Sequence, residues 1–502
     1  MNESTVFIPG FVIVPLAGAF MNSLLGRRVH GLADFLGSMA MAVLLGLSLF
    51  ALHTVSVNAP VIYHVGGWRA PVGISMVVDG LAVFMLVTVN TVAFAIAVYA
   101  RDYMARYTAK EMFYTLLLLL VAGMNGVIVA GDLFNLFVFL EVAAFASYAL
   151  VAFGTERHEL EAGFKYAVMG TVGSLFILWG IALLYAMTST LNMADMSRTL
   201  ATQRGQNLIL MVSAFFLTGF GLKAALVPFH AWLPDAHPSA PAPISAMLSG
   251  VLIKSLGIYA LTRVFFHIIG LTPLVSSILM FLGALSMVVG ALLAIGQQDL
   301  KRLFAYSSIS QVGYVVFGIG LATPLGILGG LFHLFNHSVF KALLFLNSGA
   351  VEYATGTRDL HLMGGLGRRM PVTSTTSFVA SLSIAGIPPF SGFWSKLLII
   401  MAAVQAGQVG YAFIAVIVSA LTLAMVMRVM KEAFGGELNP RWLEVKEVPG
   451  YMQISMVALA ILCVVSGVLV LPGLKGVFLS PATTVLVEGI NYSTVMWKEG
   501  AP

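Results

Sequence analysis

The stretch 221–261, GLKAALVPFHAWLPDAHPSAPAPISAMLSGVLIKSLGIYAL, decides how the rest of the chain is read. Both of its flanks are apolar enough to sit in lipid, yet each carries a lysine, Lys223 on one side and Lys254 on the other. Between them runs a proline-rich segment in which Pro228 follows Lys223 by five residues. Proline inside a helix removes a backbone hydrogen bond and frees a carbonyl. At membrane depth such a break is tolerated where the backbone is buried in protein or lines a wet cavity. The stretch therefore predicts a bundle of membrane helices with a polar interior.

Composition agrees. Of 502 residues, 59% are hydrophobic and 9% are charged, against about 25% charged in soluble domains, and the mean hydropathy is +0.96. The predicted class is an all-α polytopic membrane protein. A span needs roughly 20 mainly apolar residues. On that rule fourteen spans are predicted, near 5–26, 34–56, 73–100, 111–130, 133–153, 162–188, 208–235, 240–264, 272–294, 302–321, 324–351, 371–407, 408–434 and 449–472. The N-terminal apolar run lacks a preceding basic segment, so it reads as the first span rather than a cleaved signal. The single cysteine, Cys463, excludes a disulfide framework and a thiolate-ligated cluster held by this chain alone. The net charge of +5 reflects basic cytoplasmic loops, not nucleic-acid binding.

Loops after odd-numbered spans carry sixteen basic residues: Arg27, Arg28, Arg101, Arg106, Lys110, Arg157, Lys165, Lys301, Arg302, Arg358, Arg368, Arg369, Arg428, Lys431, Arg441 and Lys446. Loops after even-numbered spans and the tail carry six, namely Arg69, Arg198, Arg204, Arg263, Lys475 and Lys498. The positive-inside rule then points both termini outward from a cell inner (plasma) membrane. The remaining four of the 26, Lys223, Lys254, Lys341 and Lys396, fall inside spans.

A charge at bilayer mid-depth costs on the order of 3 kcal/mol on insertion scales, so it is expected to face a polar interior and to find a partner. Among the acids, Glu141 in FNLFVFLEVAAFASYALV (134–151) is the deep one; Asp79 and Asp132 lie near predicted outer ends, where they can reach water. Lysines near span ends can snorkel, but Lys254 is too central for that, and Glu141 has only two methylenes.

In LFHLFNHSVFKALLFL (331–346), His333, His337 and Lys341 recur at i, i+4 and i+8, which places them on one helix face. As a metal site the His pair lacks the glutamate of HExxH and any third ligand, so no metal is expected. Two histidines with a lysine on one face fit a proton relay better. SIAGIPPFSGFWSKLLII (383–400) places Gly386, Pro388, Pro389 and Gly392 just before Lys396. This second break echoes the first, PFHAW at 228–232 against PFSGFW at 389–394. Broken helices in corresponding halves are a pointer to repeat-built transporters.

The 221–261 stretch, together with HLFNHSVFKALLFLNSGAV (333–351) and AGIPPFSGFWSK (385–396), resembles the signatures of the antiporter-like membrane subunits shared by respiratory complex I, Mrp cation/proton antiporters and membrane-bound hydrogenases. The resemblance covers roughly residues 70–435. It implies fourteen helices with two inverted five-helix repeats and broken helices 7 and 12: N-terminal helices 1–3 over 1–110, a first repeat of helices 4–8 over 111–264, a second of helices 9–13 over 272–434, and helix 14 with an outer tail over 449–502. It places the family's helix 5 glutamate on Glu141 and its helix 7 and 8 lysines on Lys223 and Lys254. The helix 11 polar residues fall on His333, His337 and Lys341, and the helix 12 residue on Lys396.

What the resemblance implies is proton passage, alone or in exchange for sodium, as one subunit among other membrane subunits, with no cofactor in this chain. The chain lacks the long lateral helix of the largest complex I member, and 435–450 and 482–497 look more like the D-type Mrp antiporter protein or its hydrogenase counterpart. An antiporter-like subunit of NADH-quinone oxidoreductase is the alternative. A redox-active subunit would have to hold its carriers elsewhere, and a receptor or scaffold leaves the mid-span lysines without a purpose.

Overall fold

The computed structural model describes residues 5–29, 31–57, 60–201 and 207–492. Arg204 and Lys498, two of the six basic residues expected outside, and residues 493–497 lie outside them. Helices α1 (Gly10–Leu25) and α2 (Leu32–Val57) lead to a short antiparallel hairpin, β1 (Val61–His64) with β2 (Ser75–Val78), paired Val61 to Val78. Then follow α3 (Gly80–Tyr103), α4 (Lys110–Val129), α5 (Leu133–Val151), α6 (Arg157–Thr188), the short α7 (Met193–Leu200), α8 (Asn207–Lys223) and α9 (Leu233–Ser239). The second part runs through α10 (Ala242–Ile268), α11 (Pro273–Ile295), α12 (Leu300–Gly320), α13 (Pro324–Thr355), α14 (Pro371–Ala385), α15 (Ser391–Gln405), α16 (Val409–Phe434), α17 (Gly450–Val465) and α18 (Pro472–Glu488).

Eleven of these helices are long and apolar enough to cross a membrane, and α1, α8 and α15 are shorter apolar helices. Their ends are set by local chemistry. Asp132 and Asp299 cap α5 and α12 by accepting from Asn135 N and Arg302 N, both at 2.8 Å. Thr323 followed by Pro324 opens α13, and Gly356 in the left-handed conformation closes it.

Three expectations need correction. The all-α reading misses the hairpin: 75–78 is strand, and the third helix starts only at Gly80, where Asp79 accepts from Ala82 N. An apolar run of four is too short to separate strand from helix by periodicity. The span expected over 371–407 with a break near Pro388 and Pro389 is two helices with a turn between them. The loop after α6, expected to face outward, contains a helix, α7. The expected tail is largely α18, whose Phe478, Leu479, Ala482 and Leu486 are buried, with Phe478 packed on Phe84 and Phe335.

Depth within the bundle differs sharply. The most apolar windows of α10 and α13 are fully buried, and that of α12 is 94% buried, while those of α2, α16 and α17 are each 33% buried. The first group therefore forms the axis and the second faces outward. Any polar group on α10 or α13 must find its partner inside the protein.

Candidate functional site

The chain leaves helical conformation after Lys223. Residues 224–232 form turns, Ala225 has a positive φ of 55°, and Pro228 sits among them. Two side chains cover groups freed by the break: Trp232 Nε1 donates to Leu222 O at 3.0 Å, and Ser286 Oγ accepts from Val227 N at 3.0 Å. α10 passes close by because Gly257 faces Ala224, and a Cβ on Gly257 would lie 2.6 Å from Ala224 backbone atoms.

At this break Lys223 Nζ lies 3.7 Å from Glu141 Oε1 and 3.4 Å from the Tyr148 hydroxyl. Glu141 also accepts a short bond from Ser174 Oγ on α6. Its side chain is 21% exposed and lines an open, otherwise apolar groove formed by α4 and α5. Behind the pair, Tyr148 meets Tyr166 edge-on, and Tyr166 stacks on Trp232 at 4.2 Å.

Lys254 is fully buried on α10, where the backbone winds as π-helix over Leu248–Tyr259. Wide turns of this kind are rare, and they are frequent at functional sites. Its ammonium donates to Ser249 O, and Ser249 Oγ lies 2.7 Å from Ser308 Oγ of α12. Lys341 donates to Phe304 O at 2.8 Å and to Ser307 Oγ, also on α12. Farther along α13, His337 and His333 have parallel rings 6.2 Å apart. His333 Nδ1 lies 3.0 Å from Ser395 Oγ, and its ring 5.5 Å from that of Tyr314.

Tyr314 in turn lies under Lys396, whose Nζ is 4.8 Å from the ring centroid. Lys396 donates to Ile384 O at 2.7 Å and Ser419 Oγ at 3.0 Å. Ile384 is in the last turn of α14, where carbonyls lack helical partners and the dipole is negative. The break at 386–390, which includes Pro388 and Pro389, thus creates the acceptor that the lysine uses. Gly386 there has φ of 80°, and a Cβ on it would lie 3.0 Å from Lys396 Cδ.

All seven residues singled out by sequence are therefore buried or half-buried along α5, α8, α10, α13 and α15. They do not all pair alike. Lys223 has a carboxylate; the hydrogen bonds of Lys254, Lys341 and Lys396 go to carbonyl and hydroxyl oxygens. The hydroxyl residues, Tyr148, Ser174, Ser249, Ser307, Ser308, Tyr314, Ser395 and Ser419, escaped sequence reading. Only Tyr148, seven residues after Glu141 and so on the same helix face, had a spacing that could have flagged it.

Three further charges were placed wrongly. Asp79 and Arg263 are 1% and 6% exposed, not free in water or loop, and form a two-pronged ion pair at 2.7 and 2.8 Å. Lys301, assigned to a loop, is 1% exposed and pairs with Glu352 at 3.0 Å.

Comparison with known proteins identifies the family. Residues 130–422 match the family described as NADH:quinone oxidoreductase/Mrp antiporter, TM, and residues 65–114 match the N-terminus of complex I chain 5. The N-type subunit of NADH-quinone oxidoreductase from Desulforudis audaxviator is 38% identical over 84% of this chain and 85% of its own length. The D-type protein of the Na(+)/H(+) antiporter from Alkalihalophilus pseudofirmus is 35% identical over 93% and 94%. A chain of the Mrp complex from Dietzia sp. DQ12-45-1b superposes with a TM-score of 0.88 at 28% identity, covering 99% of both chains. One from the membrane-bound sulfane sulfur reductase, an archaeal respiratory complex, gives 0.89 at 30% identity, over 98% of this chain and 99% of that one. The protein belongs to the transmembrane family of NADH:quinone oxidoreductase and Mrp antiporter subunits.

Proposed function

We propose that this chain translocates protons as one subunit of a multisubunit membrane complex of the Mrp antiporter or membrane-bound hydrogenase type. The observation that carries the reading is the set of lysines Lys254, Lys341 and Lys396, at most 3% exposed, whose hydrogen bonds go to carbonyls and hydroxyls. A fixed structural charge at this depth needs a counter-charge to offset its desolvation; an amine that gives up and regains its proton does not. Glu141 holds and releases Lys223, the proton passes to Lys254 and on through Lys341, His337 and His333, and Lys396 hands it to the outer side. One charge across 100 mV is worth about 2.3 kcal/mol, a scale that moving one ion pair can supply.

The same reading gives fourteen spans, α8–α9 and α14–α15 each counting as one broken span, in two inverted five-helix repeats. Lys223 and Lys396, each beside its break, support the pairing of the two halves. Both termini face outward, the lipid-facing helices pack against bilayer or neighbouring subunits, and the transported ions are protons, with sodium as the exchange partner in an antiporter. The 38% identity to an N-type subunit supports a second reading, an antiporter-like subunit of NADH-quinone oxidoreductase. The relay is common to both. Lys254→Ala is expected to reduce proton flux in everted vesicles to the level of vesicles lacking the complex, at equal assembly. Wild-type flux in that variant would refute the relay.

A further inference from the structure

The line of buried groups has a gap on α13. Lys341 is anchored to α12, and His333 to α12 and α15, but His337 between them is fully buried with both ring nitrogens lacking a protein hydrogen-bond partner. α12 and α13 are joined by residues 321–323, so they run antiparallel, and two contacts define their register. Ser307 meets Lys341, and Tyr314 meets His333. Four steps forward from Ser307 and four back from Lys341 set Gln311 opposite His337. The spacings 307, 311 and 314 lie on one face of α12. Gln311 is fully buried, and neither its amide nitrogen nor its amide oxygen has a protein partner. His333 Nε2 is unpartnered too.

Five buried polar atoms, on three residues at matching levels of α12 and α13, thus have no partner in the protein. Buried polar groups are satisfied in the great majority of cases, by protein or by ordered water. A buried water makes about three hydrogen bonds and needs polar partners of this kind. We propose that Gln311 is a positioning residue of the proton path: with His337 and His333 it holds a site for two or more buried waters that joins Lys341 to His333 and Lys396. This rests on the relay reading above. The amide does not titrate. It donates and accepts at once, so it orients water between an amine and an imidazole whichever of them carries the proton.

The experiment uses the assembled complex in everted vesicles, with proton flux read by a pH-sensitive dye and scaled to assembled protein. Gln311→Leu, of similar size but apolar, is expected to lower flux about tenfold, the effect of losing one or two hydrogen bonds from the path. Gln311→His, which again offers a donor and an acceptor, is expected to keep at least half of wild-type flux. A packing role predicts the reverse, because leucine removes an unsatisfied buried amide and histidine does not. Difference infrared spectra should lose the signal of buried, weakly bonded water in Gln311→Leu and keep it in Gln311→His. If the leucine variant assembles poorly, Gln311→Met takes its place. Wild-type flux in the apolar variant, or equal loss in the apolar and histidine variants, would overturn the proposal. Lys341→Ala in parallel separates the two levels. If it is inactive while Gln311→Leu is normal, the water site alone fails; if it too is normal, the relay fails and the proposal with it.

Discussion

Replacing Glu141 by glutamine isolates one interaction. The Glu141 carboxylate is 3.7 Å from Lys223 Nζ. At an effective dielectric near 20, two unit charges at this separation attract by about 4.5 kcal/mol. The glutamate side chain is 21% exposed, and screening reduces the figure to roughly 2–3 kcal/mol. Glutamine has the same shape and still offers an oxygen to the Ser174 hydroxyl, so packing between α5 and α6 is retained. Lys223, 5% exposed, keeps the hydroxyl of Tyr148 at 3.4 Å but loses its counter-charge. At about 1.4 kcal/mol per factor of ten, losing the pair slows coupled flux roughly 30- to 100-fold.

Glu141→Asp, one methylene shorter, keeps the charge at a longer separation and should retain part of the flux; Glu141→Ala should lose more than the glutamine variant because it also removes the bond from Ser174 that ties α5 to α6. The assay is dye-reported proton flux in everted vesicles, normalised to assembled complex. Flux within a factor of two of wild type in Glu141→Gln would show that the pair does not control the transfer.

Three other perturbations test separate parts of the argument. Lys223→Arg and Lys396→Arg should each impair flux strongly at normal assembly, because a guanidinium stays protonated and cannot hand its proton on; full activity in both would assign these lysines to fixed-charge roles. Asp79→Asn leaves Arg263 buried without its counter-charge and should destabilise the protein by about 3–5 kcal/mol, whereas Asp79→Leu combined with Arg263→Met should recover most of that loss in a thermal melt; equal melting of single and double variants would contradict a buried pair. In a Cys463→Ala background, an impermeant maleimide on intact cells should label Ala201→Cys and spare His361→Cys; the opposite pattern would invert the orientation.

Much of this protein was legible before any folding. Long apolar runs mark the membrane helices, since lipid forces each segment to satisfy its own backbone. Lys254, Glu141 and the His333, His337, Lys341 face stand out because a charge in an apolar run has no local reason to be there. The breaks at Pro228 and at Pro388 and Pro389 were readable from proline chemistry alone. The hairpin at 61–64 and 75–78 was not, because its strands are four residues long and their partner lies across a loop. Nor was α18, whose moderate hydropathy became a buried helix only against α3 and α13.

Partnership was the part that sequence could not express. That Lys396 uses a carbonyl from the end of α14, that Arg263 reaches Asp79 across 184 residues, and that Gln311 stands opposite His337 all depend on how helices are registered against one another. Serines and tyrosines in membrane helices are common and individually silent; packing alone turns Ser307 or Tyr314 toward a lysine. The sequence by itself determined which groups had to be buried with charge or polarity, because hydropathy and helical spacing are local. The tertiary structure decided which of them meet, because hydrogen bonding at a few ångströms depends on the relative rotation and depth of helices that no local pattern records.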